Sequence, residues 1–224
     1  MKKATVNDSL CDRIFYVVTN IVMGIIALII LYPMVYVVAS SFSSGEAVMS
    51  GRVILWPVDF WLDGYKMVFQ YNTVINGYLN SILYTVLGTT INIVMTMLCA
   101  YPLARNTLPF RGFLMFLFAF TMYFSGGLIP SYLLVRNLNI MNTIWALLLP
   151  GAISVYNMII ARTFLQTNIP NELLEAAQID GCNGFKFLFS VILPLSKAII
   201  AVLTLYYAVA HWNAYFNAML YLTE

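Results

Sequence analysis

The chain has 224 residues, 62% of them hydrophobic and 9% charged, with a formal net charge of +2 and a mean hydropathy of +0.85. Water-facing domains carry about 25% charged residues, so this composition excludes a soluble enzyme, a disordered chain and a nucleic-acid binder. It implies an all-α integral membrane protein, a polytopic helical bundle whose partner on most sides is membrane lipid. Cys11, Cys99 and Cys182 are odd in number and offer neither a pairing scheme nor a metal-ligand spacing.

Residues 1–13 carry Lys2, Lys3 and Arg13 ahead of the first apolar run. About 20 apolar residues, each rising about 1.5 Å, cross a hydrocarbon core of about 30 Å. Five windows meet this length, at about 14–39, 81–103, 113–135, 143–165 and 198–220. The first is too long for the hydrophobic region of a secretory signal and reads as a retained helix. Pro33, Pro130 and Pro150 lie within windows, with Gly126 and Gly127 before the second of them, and predict kinks.

Lys and Arg gather on the cytoplasmic side of membrane proteins. With the amino terminus inside, Lys2, Lys3, Arg13, Arg105, Arg111, Arg162, Lys186 and Lys197 fall inside, against Arg52, Lys66 and Arg136 outside. Two hydrophilic excursions remain, an outer one over 40–80 and an inner one over 166–197. The aromatic-rich stretch from Trp56 to Phe69 is expected to lie along the membrane surface.

The inner excursion begins a helix that Asn171 can cap, with Glu172 and Glu175 at the positive end of its dipole and Gly181 as a left-handed stop. A second short helix starts at Asn183 and runs until Pro194 interrupts it. Leu173, Leu174 and Ala177 form one apolar stripe. Such an element either lies in the membrane interface or is offered to a groove on another protein.

Glu175-Ala176-Ala177, then Asp180-Gly181, then, nine residues later, Val191-Ile192-Leu193-Pro194 resembles the "EAA" loop of permease subunits in bacterial binding-protein-dependent ABC importers. Val191 departs from the isoleucine usual there. Gly127-Leu128-Ile129-Pro130, Leu138-Asn139, Asn142-Thr143 and Pro150-Gly151-Ala152 are similar to the third and fourth spans of carbohydrate-uptake permeases of the maltose-transporter type. His211-Trp212-Asn213-Ala214-Tyr215-Phe216-Asn217, with the outer segments Ile54-Leu55-Trp56-Pro57 and Gly64-Tyr65-Lys66-Met67-Val68-Phe69, resembles its oligosaccharide branch.

The resemblance implies a permease transmembrane domain over 14–220 whose loop 166–197 couples to a cytoplasmic ATPase. Glu172, Glu175, Ala176, Ala177, Asp180, Gly181, Leu193 and Pro194 are the candidate coupling residues, Glu175 the first choice for a polar contact. It also implies a second homologous permease subunit, two ATP-binding subunits and an extracytoplasmic solute-binding protein. The chain has no Gly-x-x-x-x-Gly-Lys-[Ser/Thr] loop, so no cofactor is expected on it, and ATP and Mg belong to the partner ATPase. The family generally has six spans; a sixth is missing after the outer end at 221–224, and a truncated reading frame or fragment is the expected reason, an unusually short member the alternative.

Ser81, Thr85, Thr89, Asn92 and Thr96 form one helical stripe that faces either neighbouring helices or a wet cavity. On the fifth window Tyr207, His211 and Tyr215 form another, with Trp212, Asn213 and Asn217 close by. Rings stack on sugars while His and Asn meet hydroxyls, so Tyr207, His211, Asn213, Tyr215, Asn217 and Asn92 are the candidate substrate-pathway residues. His211, the single histidine, could equally bond a neighbouring helix, and Trp212 and Tyr215 could be interfacial anchors. The competing classes are a secondary transporter or channel and a non-transporting fragment. Ion-coupled carriers use intramembrane charges, and no window contains an acidic residue.

Overall fold

The computed structural model describes residues 10–222, so Lys2, Lys3 and Glu224 lie outside the described residues. Those residues are helical throughout, apart from connecting turns and one isolated antiparallel bridge between Ser43 and Phe60. In chain order the helices are α1 Leu10–Ser41, α2 Gly45–Met49, α3 Asp63–Gln70, α4 Asn72–Ala104, α5 Arg111–Tyr123, α6 Leu128–Asn137 and α7 Ile144–Leu148. They continue with α8 Val155–Asn168, α9 Asn171–Ile179, α10 Gly184–Phe187, a π-turn Leu188–Ile192, α11 Leu193–Leu195, α12 Lys197–Trp212 and α13 Tyr215–Tyr221. The chain forms two compact units, one up to Ile75 and one from Asn76.

In the first unit α1 is apolar all round: its richest window has a mean hydropathy of 2.7 and none of it is buried against protein. A helix of that character needs an apolar solvent. It runs unbroken through Pro33. Its end is knotted by Ser43, whose Oγ donates to the Ala39 carbonyl at 2.7 Å and accepts from Val58 N–H at 3.0 Å. Phe42 stacks on Phe60 and Tyr65 with centroids 5.8 and 5.4 Å apart. Trp56 and Phe69 remain exposed.

The second unit is built on α4, whose buried residues Gly88, Asn92, Thr96, Ala100 and Leu103 recur every three or four positions on one face. That face and α8, the 187–192 segment and α12 share one core, which includes Met97, Met158, Phe187, Leu188, Ile192 and Leu203. Ala100 and Ala161 are fully buried in it, and small residues let helices approach closely.

Three windows are divided rather than continuous helices, the third and fourth beside expected kink points and the fifth where none was expected. α5 and α6 meet at 112° across residues 124–127, where Gly127 adopts φ +87°, so the break sits at the Gly pair and Pro130 lies harmlessly in the first turn of α6. The fourth window is divided at Pro150-Gly151 into α7 and α8, and the fifth at Asn213-Ala214 into α12 and α13. Among the described residues α1 and α4 alone are long and apolar enough to cross a membrane unaided. There are four candidate spans when α5–α6 and the α10-to-α12 run, bent by 83°, each count as one. Asn139 and Asn142, both part of the family-like segments, adopt φ +53° and +55°, a conformation Asn tolerates better than most residues.

Candidate functional site

The elbow between α8 and α12 is set by local chemistry. A residue before proline is driven out of the helical region, and Ile169 is extended at φ −118°, ψ 101°, so α8 stops there. Pro170 then occupies the N-cap of α9 with no side-chain cap bond. The expected cap at Asn171 is thus displaced: Asn171 is the first helical residue, because the extended proline already turns the chain into the helix.

At the other end Gly181, at φ +71°, donates its N–H to Gln178 O at 3.0 Å while Cys182 N–H reaches Ala177 O at 2.8 Å. This pair of bonds is the Schellman closure, and the glycine stop expected at Gly181 is present. Asn183 caps α10 by accepting from Lys186 N–H at 2.8 Å.

Leu174 and Ala177 pack against the core, whereas Leu173, expected on the same stripe, is exposed because the contact falls on the 174/177 edge of the helix. Glu172, Glu175, Ala176, Ile179 and Asp180 face away from the core, Ile179 at 87% exposure. None of the three acids forms an ion pair with a described residue.

Leu193 and Pro194 do not join that outward face. The helix passes through Pro194 rather than ending there, because the preceding π-turn widens the backbone where the proline ring would clash; Leu193 N–H bonds back five residues to Leu188 O. Leu193 packs on the core, and the bend follows at Ser196. A second tie escaped the sequence reading: the Arg105 guanidinium lies 4.8 Å above the Tyr101 ring and 4.9 Å above Phe187, joining the end of α4 to the elbow. Arg162 Nε and Gln166 Nε2 donate to Leu103 O and Ala104 O, the last carbonyls of α4, at 3.0 and 3.3 Å.

The polar stripe on α4 turns inward. Thr89, Asn92 and Thr96 are buried, and Ser81 and Thr85 are half-buried. Asn92 Nδ2 donates to the Gly151 carbonyl at 2.6 Å and Asn92 Oδ1 lies 2.8 Å from His211 Nε2. Tyr207 OH shares a 2.7 Å bond with Thr96 Oγ1 and accepts from Ser154 N–H at 3.3 Å.

Asn92, Ser154, Asn157, Tyr207, His211 and Asn217 line one cavity of about 300 Å³, whose wall contains no Asp, Glu, Lys or Arg among the described residues. Asn213 and Tyr215 are not in that wall. Asn213 folds its side chain onto Val209 O at 2.8 Å and α12 ends there; the stripe from Tyr207 and His211 therefore stops short of Tyr215, which is 74% exposed. Trp212 lies 6.5 Å from Tyr78, ring to ring. The sequence reading missed Gly88, Gly151, Ser154 and Asn157; only the position of Gly88 one turn before Asn92 gave a signal.

A comparison with protein-family models finds no match. The chain is 43% identical over 213 residues to the polygalacturonan/rhamnogalacturonan transport system permease protein YtcP of Bacillus subtilis, covering 95% of this chain and 74% of that protein. It is 39% identical over 220 residues to the protein LplC of the same organism, covering 98% and 74%. Among solved structures it matches a chain of a bacterial ABC transporter involved in the import of the acidic polysaccharide alginate, with a TM-score of 0.92 and 37% identity over 98% of this chain and 78% of that one. A fold and a sequence shared over that length, on helices that only a membrane can solvate, make the chain a member of the ABC-importer permease family, membrane transport subunits rather than enzymes.

Proposed function

We propose that the chain forms part of the path of an ATP-driven importer for oligosaccharides and is driven through the α9 elbow. One relative is named for transport of polygalacturonan and rhamnogalacturonan, and a solved structure that the chain matches belongs to a transporter involved in the import of the acidic polysaccharide alginate. The cavity wall offers amides, hydroxyls, a phenol and an imidazole, groups that exchange hydrogen bonds with sugar hydroxyls. Taken as crossings, the five apolar windows of the sequence leave the amino terminus and the elbow on the cytoplasmic side, in keeping with the Lys and Arg bias.

Its partners are a second homologous permease subunit, two ATP-binding subunits holding ATP and Mg, and an extracytoplasmic solute-binding protein. The observation that carries the coupling role is the outward face of α9: Glu172, Glu175, Ala176 and Ile179 stand clear of the core while Leu174 and Ala177 anchor the helix to it. A groove on the ATPase takes this face, Gly181 sets the turn, and the Leu193-Pro194 segment passes the motion to α12 at the Ser196 bend. Two bundle arrangements are then biased by the nucleotide state of the ATPase.

Glu175→Lys and Gly181→Asp, each assembled with the partner subunits in proteoliposomes, are expected to lower substrate uptake about 5- to 150-fold, the usual range of a coupling energy, with membrane insertion intact. Unchanged uptake in both variants removes the coupling role.

A further inference from the structure

We propose that Gly88 and Asn92 are positioning residues that hold the His211 ring so that its second nitrogen accepts a hydrogen bond from a saccharide hydroxyl in the cavity. The inference rests on reading that cavity as part of the saccharide path. Pro150 and Gly151 interrupt the fourth apolar window, which frees the Gly151 carbonyl from any helical ladder. Asn92 Nδ2 donates to that carbonyl at 2.6 Å. The amide is thereby oriented, and its oxygen is the atom that meets His211 Nε2 at 2.8 Å. An amide oxygen only accepts, so Nε2 carries the proton and a neutral ring keeps its lone pair on Nδ1.

Gly88 supplies the room. A Cβ at this position would lie 2.5 Å from His211 Cε1 and Nε2 and 2.8 Å from Cδ2, closer than real Cβ atoms come, so the ring would have to shift. Gly88 and Asn92 are one turn apart on the buried face of α4, so bare backbone and amide grip the same edge of the ring. Among the described residues the cavity wall has no ionised side chain, and the grip consumes one ring nitrogen and leaves the other uncommitted. A neutral acceptor beside the amides of Asn157 and Asn217 suits a ligand rich in hydroxyl donors, whether or not it bears carboxylates elsewhere.

The test uses the complete importer in proteoliposomes, with labelled trigalacturonate and labelled maltotriose as probes and co-purification of partner subunits as the check on assembly. His211→Ala and Gly88→Ala should each raise the uptake KM by about tenfold, the loss expected when one polar partner is removed or displaced, with the maximal rate changed less than the KM. The double variant Gly88→Ala/His211→Ala removes the ring that the new methyl would strike, so it should be no worse than His211→Ala alone. If Gly88→Ala alone fails to assemble while the double variant assembles, the steric assignment is supported. An unchanged KM in His211→Ala, losses that multiply in the double variant, or failure of both Gly88 variants to assemble would overturn the proposal. Wild-type complex that takes up neither probe overturns the saccharide reading itself, an outcome distinct from any of these.

Discussion

The elbow and the cavity are two polar regions of the same unit, held in opposite ways. The elbow is fixed by local bonds: a proline entry, a Schellman closure at Gly181 and a side-chain cap at Asn183, all between residues no more than five apart. Its acids are left exposed. The cavity is fixed by side chains reaching across 59, 111 and 119 residues of sequence, from Asn92 to Gly151, Thr96 to Tyr207 and Asn92 to His211. Polar groups in the first region are free to engage another molecule, and those in the second first hold the helices together. Changes in the cavity should therefore cost stability, and changes on the elbow's outer face should cost coupling alone.

The largest expected effect lies where the two regions share a support. Phe187 is completely buried beneath Arg105 and belongs to the core common to α4, α8 and α12. Phe187→Ala should destabilise the protein by about 3–5 kcal/mol, the cost of a large core truncation, seen as a lower thermal midpoint and reduced yield of assembled complex. Asn92→Ala comes next. It removes the partner of both the Gly151 carbonyl and His211, and an unpaired buried group costs about 1–3 kcal/mol. If the thermal midpoint is unmoved, the cavity network does not hold the helices together and the contrast with the elbow fails.

What could be read from sequence follows the same division. Gly181 and Asn183 were legible because a left-handed stop and a helix cap are decided within a few residues. The inward face of α4 was legible as a stripe through Thr89, Asn92 and Thr96, but its partners were not, because nothing near Asn92 in sequence names Gly151 or His211. Asn171 misled because the capping preference of Asn is strong, and the proline before it had already set the turn. The breaks beside Gly127 and at Pro150-Gly151 were legible as kinks because Gly and Pro announce them locally, whereas the break at Asn213 was hidden by apolar residues that continue on both sides. Counting Tyr215 in one stripe with His211 assumed a helix that Asn213 ends.

A tie between the regions can be tested at smaller scale. Arg105 over Tyr101 and Phe187 is an attraction between a cation and two rings, worth about 0.5–2 kcal/mol. Arg105→Met removes the charge and keeps a stem of comparable reach, whereas Arg105→Lys keeps the charge. Lower stability in the Met variant, substantially restored in the Lys variant, marks the cation as the link between α4 and the elbow. Equal losses in both would assign Arg105 to shape and hydrogen bonding to Tyr101 instead.

The smallest stability effect should come from the outer face of α9. Glu175 forms no ion pair with a described residue and is exposed, and Glu172 in the first turn is exposed as well. Their contribution within this chain is an interaction with the helix dipole that water screens, and exposed substitutions of this kind usually change stability by less than about 0.5 kcal/mol. Glu175→Gln should thus leave the thermal midpoint of the isolated permease unchanged. In the assembled importer the same substitution deletes a charge from the face proposed to meet the ATPase, so it should weaken ATPase capture or uptake. A drop in stability of the isolated chain would mean that Glu175 supports the fold, and the elbow would then differ from the cavity only in exposure.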